Sequence, residues 1–247
     1  MRALVTGAAS GLGREIARQL AADGIRVTAI DRSPIDAVGT VEARQIDLAD
    51  RGAVERLLRD FRDEPPFDWV IHNAGISATG IFERIPDEAY MRLLRVNCEA
   101  PMFMTAGLIG HSKIATGGRI VFVSSLSHFT GYPGGTVYGA SKDALTVYAM
   151  SIRPTLKRQG IAVMTVFPGP VRTDHAARHA PPDARAERRM DPADLAARII
   201  RATRRGKTVL YPGLPAKTGR LLGGLAPRRM TAFMRRVIFE KLERDVY

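Results

Sequence analysis

The chain has 247 residues, of which 45% are hydrophobic and 25% charged. That is enough apolar material for one large core, and it argues against a disordered chain or one built on membrane spans. The formal charge of +12 is uneven: residues 201–247 carry 12 Lys and Arg against 3 Asp and Glu, while residues 1–200 carry 25 against 22, so a nucleic-acid-binding core is not expected.

In chain order, short apolar runs alternate with longer helical patterns. Ala3–Thr6 reads as a buried strand leading into a glycine-rich turn, and Arg14–Ala22 as a helix with Ile16, Ala17, Leu20 and Ala21 on one face. Arg26–Ile30 and Ala43–Asp47 read as strands, Val54–Phe61 as a helix and Trp69–His72 as a strand. A long helix is expected over Tyr90–Gly107, then strand Arg119–Ser124, helix Tyr138–Leu156 and strand Ile161–Val166. Helix Pro192–Thr203 and strand Thr208–Tyr211 follow. Such alternation implies an α/β fold: a doubly wound, mostly parallel seven-stranded sheet, Rossmann-like, with helices on both faces. Residues 1–211 would form one domain built on this sheet. Residues 212–247 would be a basic C-terminal helical extension and not an independent domain. The Pro-containing segments 179–192 and 211–228 are the stretches expected to be flexible.

The turn Thr6-Gly7-Ala8-Ala9-Ser10-Gly11-Leu12-Gly13 lies between a strand and a helix, where glycines let the backbone approach a pyrophosphate at the helix N-terminus. An isolated match of this kind could also be a structural turn. Asp31, at the end of the second strand, can accept hydrogen bonds from a ribose 2′-OH and would repel a 2′-phosphate, which favours NAD(H). The adjacent Arg32 is a phosphate partner, so NADP(H) stays open.

Tyr138 and Lys142 are four residues apart on one helix face. A tyrosine hydroxyl can donate a proton to a nascent alkoxide or take one from an alcohol, and a neighbouring ammonium lowers its pKa. Tyr-x-x-x-Lys alone is a weak signal. Here Ser125, at a strand end 13 residues earlier, adds a hydroxyl that could bind the substrate oxygen.

With these residues in place the chain resembles the short-chain dehydrogenase/reductase family over roughly residues 1–211. The matches are the glycine motif at Thr6–Gly13, the acidic residue Asp47 after the third strand, Asn73-Ala74-Gly75, Asn97, the set Ser125, Tyr138 and Lys142, and Pro168-Gly169 with Thr173. The resemblance implies that Tyr138 is the general acid/base, that Ser125 polarises the substrate oxygen, and that Lys142 tunes Tyr138 and binds ribose. It implies that Asn97 holds a relay water. Gly7, Ser10, Gly11, Leu12, Gly13, Asp31, Arg32, Asp47, Leu48, Asn73, Ala74, Gly75, Pro168, Gly169, Val171 and Thr173, with Tyr138 and Lys142, would contact the cofactor. The substrate would be a small carbonyl or alcohol, the assembly a homo-oligomer (dimer or tetramer). A non-catalytic dinucleotide sensor or scaffold on the same fold is the alternative.

His72 departs from the family's Asn-Asn-Ala-Gly motif, and the span between Asp31 and Asp47 leaves little room for a helix. Ser127, His128, Phe129 and Tyr132 are pocket candidates, and Asp174–Met190, with Pro181-Pro182 and several arginines, reads as a lid. The lone cysteine, Cys98, reads as a packing residue. One cysteine permits no internal disulfide and fits a cytoplasmic location; no metal ligand spacing or secretory signal is evident. Pro227–Val246 reads as an amphipathic helix, with Met230, Phe233, Met234, Val237, Ile238 and Leu242 among arginines that include Arg244. Its stripe would pack on the protein or a second subunit, or rest at the surface of an anionic membrane.

Overall fold

A computed structural model describes residues 1–37, 39–181, 187, 189–242 and 245–247. Seven strands form one sheet: β1 (Arg2–Thr6), β2 (Arg26–Asp31), β3 (Val41–Gln45), β4 (Phe67–His72), β5 (Ile114–Val123), β6 (Ala162–Val166) and β7 (Val209–Leu210), in the order β3-β2-β1-β4-β5-β6-β7. Every strand pairing is parallel. The order reverses between β1 and β4, which is where ligands bind in open parallel sheets.

Both sheet faces are covered, so strand residues are apolar in both directions. Ala3 and Val5 of β1, Trp69 and Ile71 of β4 and Val121 of β5 pack with α1 (Gly11–Ala22) and α8 (Pro192–Arg204). Leu4, Val70, Ile120 and Phe122 point the other way, into α2 (Arg51–Asp60), α4 (Ala100–Gly110) and α6 (Thr136–Arg158). Alternation along each strand thus builds two cores from one sheet.

Two stretches differ from the sequence expectations. The helix expected over Tyr90–Gly107 is α3 (Asp87–Leu94), a π-helical turn at Arg95–Glu99 and then α4. Pro101 accounts for the interruption: it has no N–H for the carbonyl four residues back, and its ring crowds that carbonyl, which a widened turn relieves. The strand expected over Ala43–Asp47 is shifted to Val41–Gln45, leaving Asp47 just beyond it.

The tail differs more. Residues 213–225, in a segment expected to be flexible, form α9 (Gly213–Leu225). The helix expected over Pro227–Val246 ends early: α10 covers Pro227–Val237, and a 3-10 turn follows at Phe239–Lys241. Ile238, at φ −120 and ψ −68, turns the chain out of the helix. Further on, Val246 pairs with Thr79. Arg244 lies outside the described residues, as do Pro182, Arg185 and Arg188 of the expected lid. The described part of that lid contains α7 (Asp174–Arg178), and its two ends are pinched together by a bridge between Val171 and Met190.

Candidate active site

A cavity of about 1320 Å³ opens beyond the C-terminal ends of the strands. Its floor at one end is the glycine turn. Gly7 has φ +70, and a Cβ there would come within 2.8 Å of Ala74 Cα, so the position needs glycine both for conformation and for space. Gly13 is absent from the cavity wall: a Cβ on it would overlap the Gly7 carbonyl oxygen, so it lets α1 close onto the turn. Asn73 locks the turn from the next strand, its Nδ2 donating to the carbonyls of Thr6 (3.1 Å) and Gly7 (3.2 Å).

A nicotinamide dinucleotide fits these residues. Helices α2, α7 and α8 cap their own N-termini with Asp50, Thr173 and Asp191. By contrast Ser10 makes no side-chain cap on α1, and α1 has no acidic residue in its first turn. The N–H groups at the start of α1 therefore face the cavity ready for phosphate oxygens.

Asp31 and Asp47 line the end of the cavity beyond the second and third strands, where an adenosine would sit. Asp31 accepts from the amides of Ala9 (3.1 Å) and Ser33 (3.0 Å), which orients its carboxylate. Asp47 accepts from Ala49 N (2.9 Å) and from Arg92 (2.8 Å). Burial alone would raise the Asp47 pKa, but the Ala49 amide, Arg92 and Arg32 outweigh it and hold it below the usual range. Arg32 and Leu48 line the same end.

At the other end, β5 delivers Ser125 and α6 delivers Tyr138 and Lys142 to one wall. Ser125 and Tyr138 share this wall, and Ser125 lies near enough to favour the Tyr138 phenolate. Lys142 is buried; its Nζ donates to the Val123 carbonyl (2.9 Å) and lies 5.7 Å from the Tyr138 ring centre. Burial lowers its pKa to about 8. Gly75 makes room for it, since a Cβ there would sit 3.0 Å from Nζ. The π-helical turn carries Asn97, fully buried. Its Oδ1 accepts from Ile76 N and its Nδ2 donates to Ile76 O and Ser141 Oγ, each at 2.9 Å.

Tyr138 differs from the sequence expectation. Burial raises its pKa, Ser125 lowers it in part, and the net direction is up. Without a cofactor, desolvation of the phenolate is the larger effect, and the Lys142 ammonium is engaged by a backbone carbonyl.

Comparison with known proteins decides the family. The short chain dehydrogenase family profile matches residues 1–183. The chain is 33% identical over 183 residues to an uncharacterized oxidoreductase of Myxococcus xanthus, covering 70% of this chain and 72% of that one. It is 33% identical over 181 residues to carbonyl reductase [NADPH] 2 of Sus scrofa, with 70% and 72% covered. The solved structure of a short-chain dehydrogenase from Streptomyces avermitilis superposes with a TM-score of 0.80 at 26% identity, covering 95% of each chain.

The chain belongs to the short-chain dehydrogenase family. It is an oxidoreductase of the kind that moves a hydride between a nicotinamide cofactor and a carbonyl or alcohol. The comparisons favour this over a non-catalytic sensor.

Loops and the tail build the end of the cavity beyond Ser125 and Tyr138, and here the sequence reading was incomplete. Ser127 and Tyr132 line the cavity, whereas His128 and Phe129 do not. His128 bonds Asp143 (2.9 Å), and Phe129 packs into a cluster with Phe167 and Tyr211. The Ser127 hydroxyl oxygen is buried without a partner among the described residues. Ile76, His175 and His179 also line the wall, as do Met234, Val237, Ile238 and Lys241 from the tail. Met234, Val237 and Ile238 belong to the apolar stripe noted in the sequence, which therefore serves this protein's own cavity. Burial brings both histidines down to about 4, helped by the charges around them, so they are neutral imidazoles.

Proposed function

We propose that this enzyme acts on a small carbonyl compound or secondary alcohol held against Ser125 and Tyr138. When bound, the nicotinamide cofactor supplies or accepts the hydride. Tyr138 gives its hydroxyl proton to the substrate oxygen during reduction and recovers it during oxidation. Its raised pKa keeps that proton in place at neutral pH, which suits reduction; an ammonium at Lys142 favours the phenolate that oxidation needs. Ser125 orients and polarises the substrate oxygen. Lys142 holds the cofactor ribose. Asn97 fixes Ile76 and Ser141 in place and keeps one lone pair on Oδ1 for a relay water between Lys142 and solvent.

The observation that carries this reading is the Ser125–Tyr138 hydroxyl pair on the wall of a cavity that runs unbroken from the glycine turn. NAD(H) is the favoured cofactor, because the Asp31 carboxylate faces the adenine end and Arg92 is engaged by Asp47. The same reading takes residues 1–211 and the tail as one catalytic unit. It also takes the protein to be cytoplasmic and a homo-oligomer, to which the exposed Val147 and Met150 of α6 offer an apolar face.

The test is a panel of ketones, aldehydes and secondary alcohols followed by NADH and NADPH absorbance, with Tyr138→Phe as control. Turnover by the wild type and its loss by about a hundredfold or more in the variant, with cofactor binding retained, is the expected result. A variant that turns over as the wild type does would remove Tyr138 from the mechanism.

A further inference from the structure

Helix α9 is amphipathic the wrong way round for a helix in water. Its protein-facing side is made of Ala216, Gly219 and Gly223. A Cβ on Gly223 would overlap the Phe129 carbonyl, and one on Gly219 would press on Leu126 at 3.1 Å. Its large side chains face solvent: Leu214 is 72% exposed, Leu221 61%, Leu222 54% and Leu225 76%. Leu214, Leu221 and Leu225 fall on one stripe, with Leu222 beside it. An ordinary surface helix puts such residues against the core. On α10, Phe233 is exposed as well.

Exposed basic residues lie on the same two helices: Lys217 and Arg220 on α9, and Arg228, Arg229 and Arg236 on α10, with Arg235 paired to Glu240 (3.4 Å). Residues 212–239 contain no Asp or Glu.

We propose that the α9 face rests on an anionic lipid surface, with its leucines at the boundary between headgroups and acyl chains. Charge selects lipid over a second copy of the chain. Two copies meeting through this face would bring their basic residues together, the next carboxylate along the chain, Glu240, being already paired with Arg235, whereas anionic headgroups neutralise them. Position agrees: Met234, Val237 and Ile238 of the segment that follows α9 line the cavity, so the chain next to this face borders the substrate end. The contact is peripheral, since among the described residues no helix is long and apolar enough to cross a membrane. This proposal goes beyond the oxidoreductase reading and does not depend on turnover.

The experiment is co-sedimentation of the full chain with vesicles of phosphatidylcholine alone or with a third phosphatidylglycerol, at low and high salt. The protein should pellet with the anionic vesicles at low salt and bind them at least about tenfold more weakly at high salt. The double variant Leu221→Asp, Leu225→Asp should lose about tenfold in vesicle affinity. Both side chains lie at the surface and outside the cavity, so its circular dichroism and melting should match the wild type. No binding of anionic vesicles by the wild type overturns the proposal, as does unchanged binding by the variant. So does self-association of the wild type that the variant abolishes in the absence of vesicle binding, which would assign the face to a second copy.

Discussion

Thr79 and Val246 exchange both of their backbone hydrogen bonds, each 2.8 Å long, in an antiparallel bridge. Thr79 is fully buried, and its Oγ1 also lies 3.0 Å from Nδ1 of His179. Asp245 adds a bond from Ile81 N to its carboxylate (3.1 Å). Thr79, in the segment that follows β4, thus ties the tail and the end of α7 together across the substrate end of the cavity.

Val246→Pro removes the N–H that Thr79 accepts. One backbone bond contributes about 1 kcal/mol, so the tail should loosen and KM for the carbonyl substrate should rise roughly fivefold. Cofactor affinity, which depends on the distant glycine turn, should not change. Initial-rate kinetics and a fluorescence titration separate the two. A tighter cofactor dependence with unchanged KM would contradict the role of the bridge.

Lys142 should make cofactor binding pH-dependent. Its pKa of about 8 belongs to the free protein. If its ammonium binds ribose, the dissociation constant should be flat below that pH and rise by up to tenfold per pH unit above it. Lys142→Met should weaken binding at neutral pH and abolish the dependence. Titrations between pH 6 and pH 10 read both effects.

His72 sets an acid limit on stability. Thr105 donates its hydroxyl to Pro101 O (2.7 Å), so the 2.9 Å contact with His72 is a donation from Nε2–H to Thr105, which leaves Nδ1 buried and without a partner among the described residues. Burial depresses its pKa from 6.5 to about 3. The unfolded chain then binds the proton more readily, so stability is fully present above pH 6.5 and declines as pH falls toward 3. At pH 5 the loss is about 2 kcal/mol for this group. His175 and His179 act in the same direction. Urea unfolding of His72→Asn should show a loss between pH 7 and pH 5 that is smaller by about that amount, whatever its stability at pH 7.

Cofactor choice should reside in Asp31. Asp31→Asn keeps an acceptor for one of the two amides, Ala9 N or Ser33 N, and removes the charge that opposes a 2′-phosphate. The ratio of NADP(H) to NAD(H) affinity should rise on the order of tenfold. An unchanged ratio would move the determinant elsewhere, Arg32 being the first residue to examine.

Much of the fold could be read from the sequence because its elements are local and periodic. Buried parallel strands are short apolar runs, and the turn after β1 announces itself through Gly7, Gly11 and Gly13. Ser125, Tyr138 and Lys142 were legible because a helix face and a strand end put them together. The substrate wall was not. His179 and Val246 meet Thr79, and Val237 and Ile238 reach the cavity, only through tertiary contacts between distant segments, and nothing in their spacing records that. The tail misled for a related reason: its stripe gives helical periodicity through Leu242, whereas the chain leaves the helix at Ile238 and Val246 pairs with the distant Thr79. The leucines of α9 went unnoticed because Gly213, Pro215, Gly219, Gly223 and Gly224 make the segment look like a loop, although the small residues among them are what let the helix sit so close to Phe129.

The bridge at Thr79 also bears on how the enzyme is made in the cell. The sheet, the glycine turn and the catalytic side chains all belong to residues synthesised before β7 is finished. The substrate end is closed only when residues 234–246 have cleared the ribosome and travelled back to the segment after β4. A nascent chain would therefore hold its nucleotide site before it has a bounded pocket, and proteolysis between α9 and α10 would return a finished enzyme to that earlier condition.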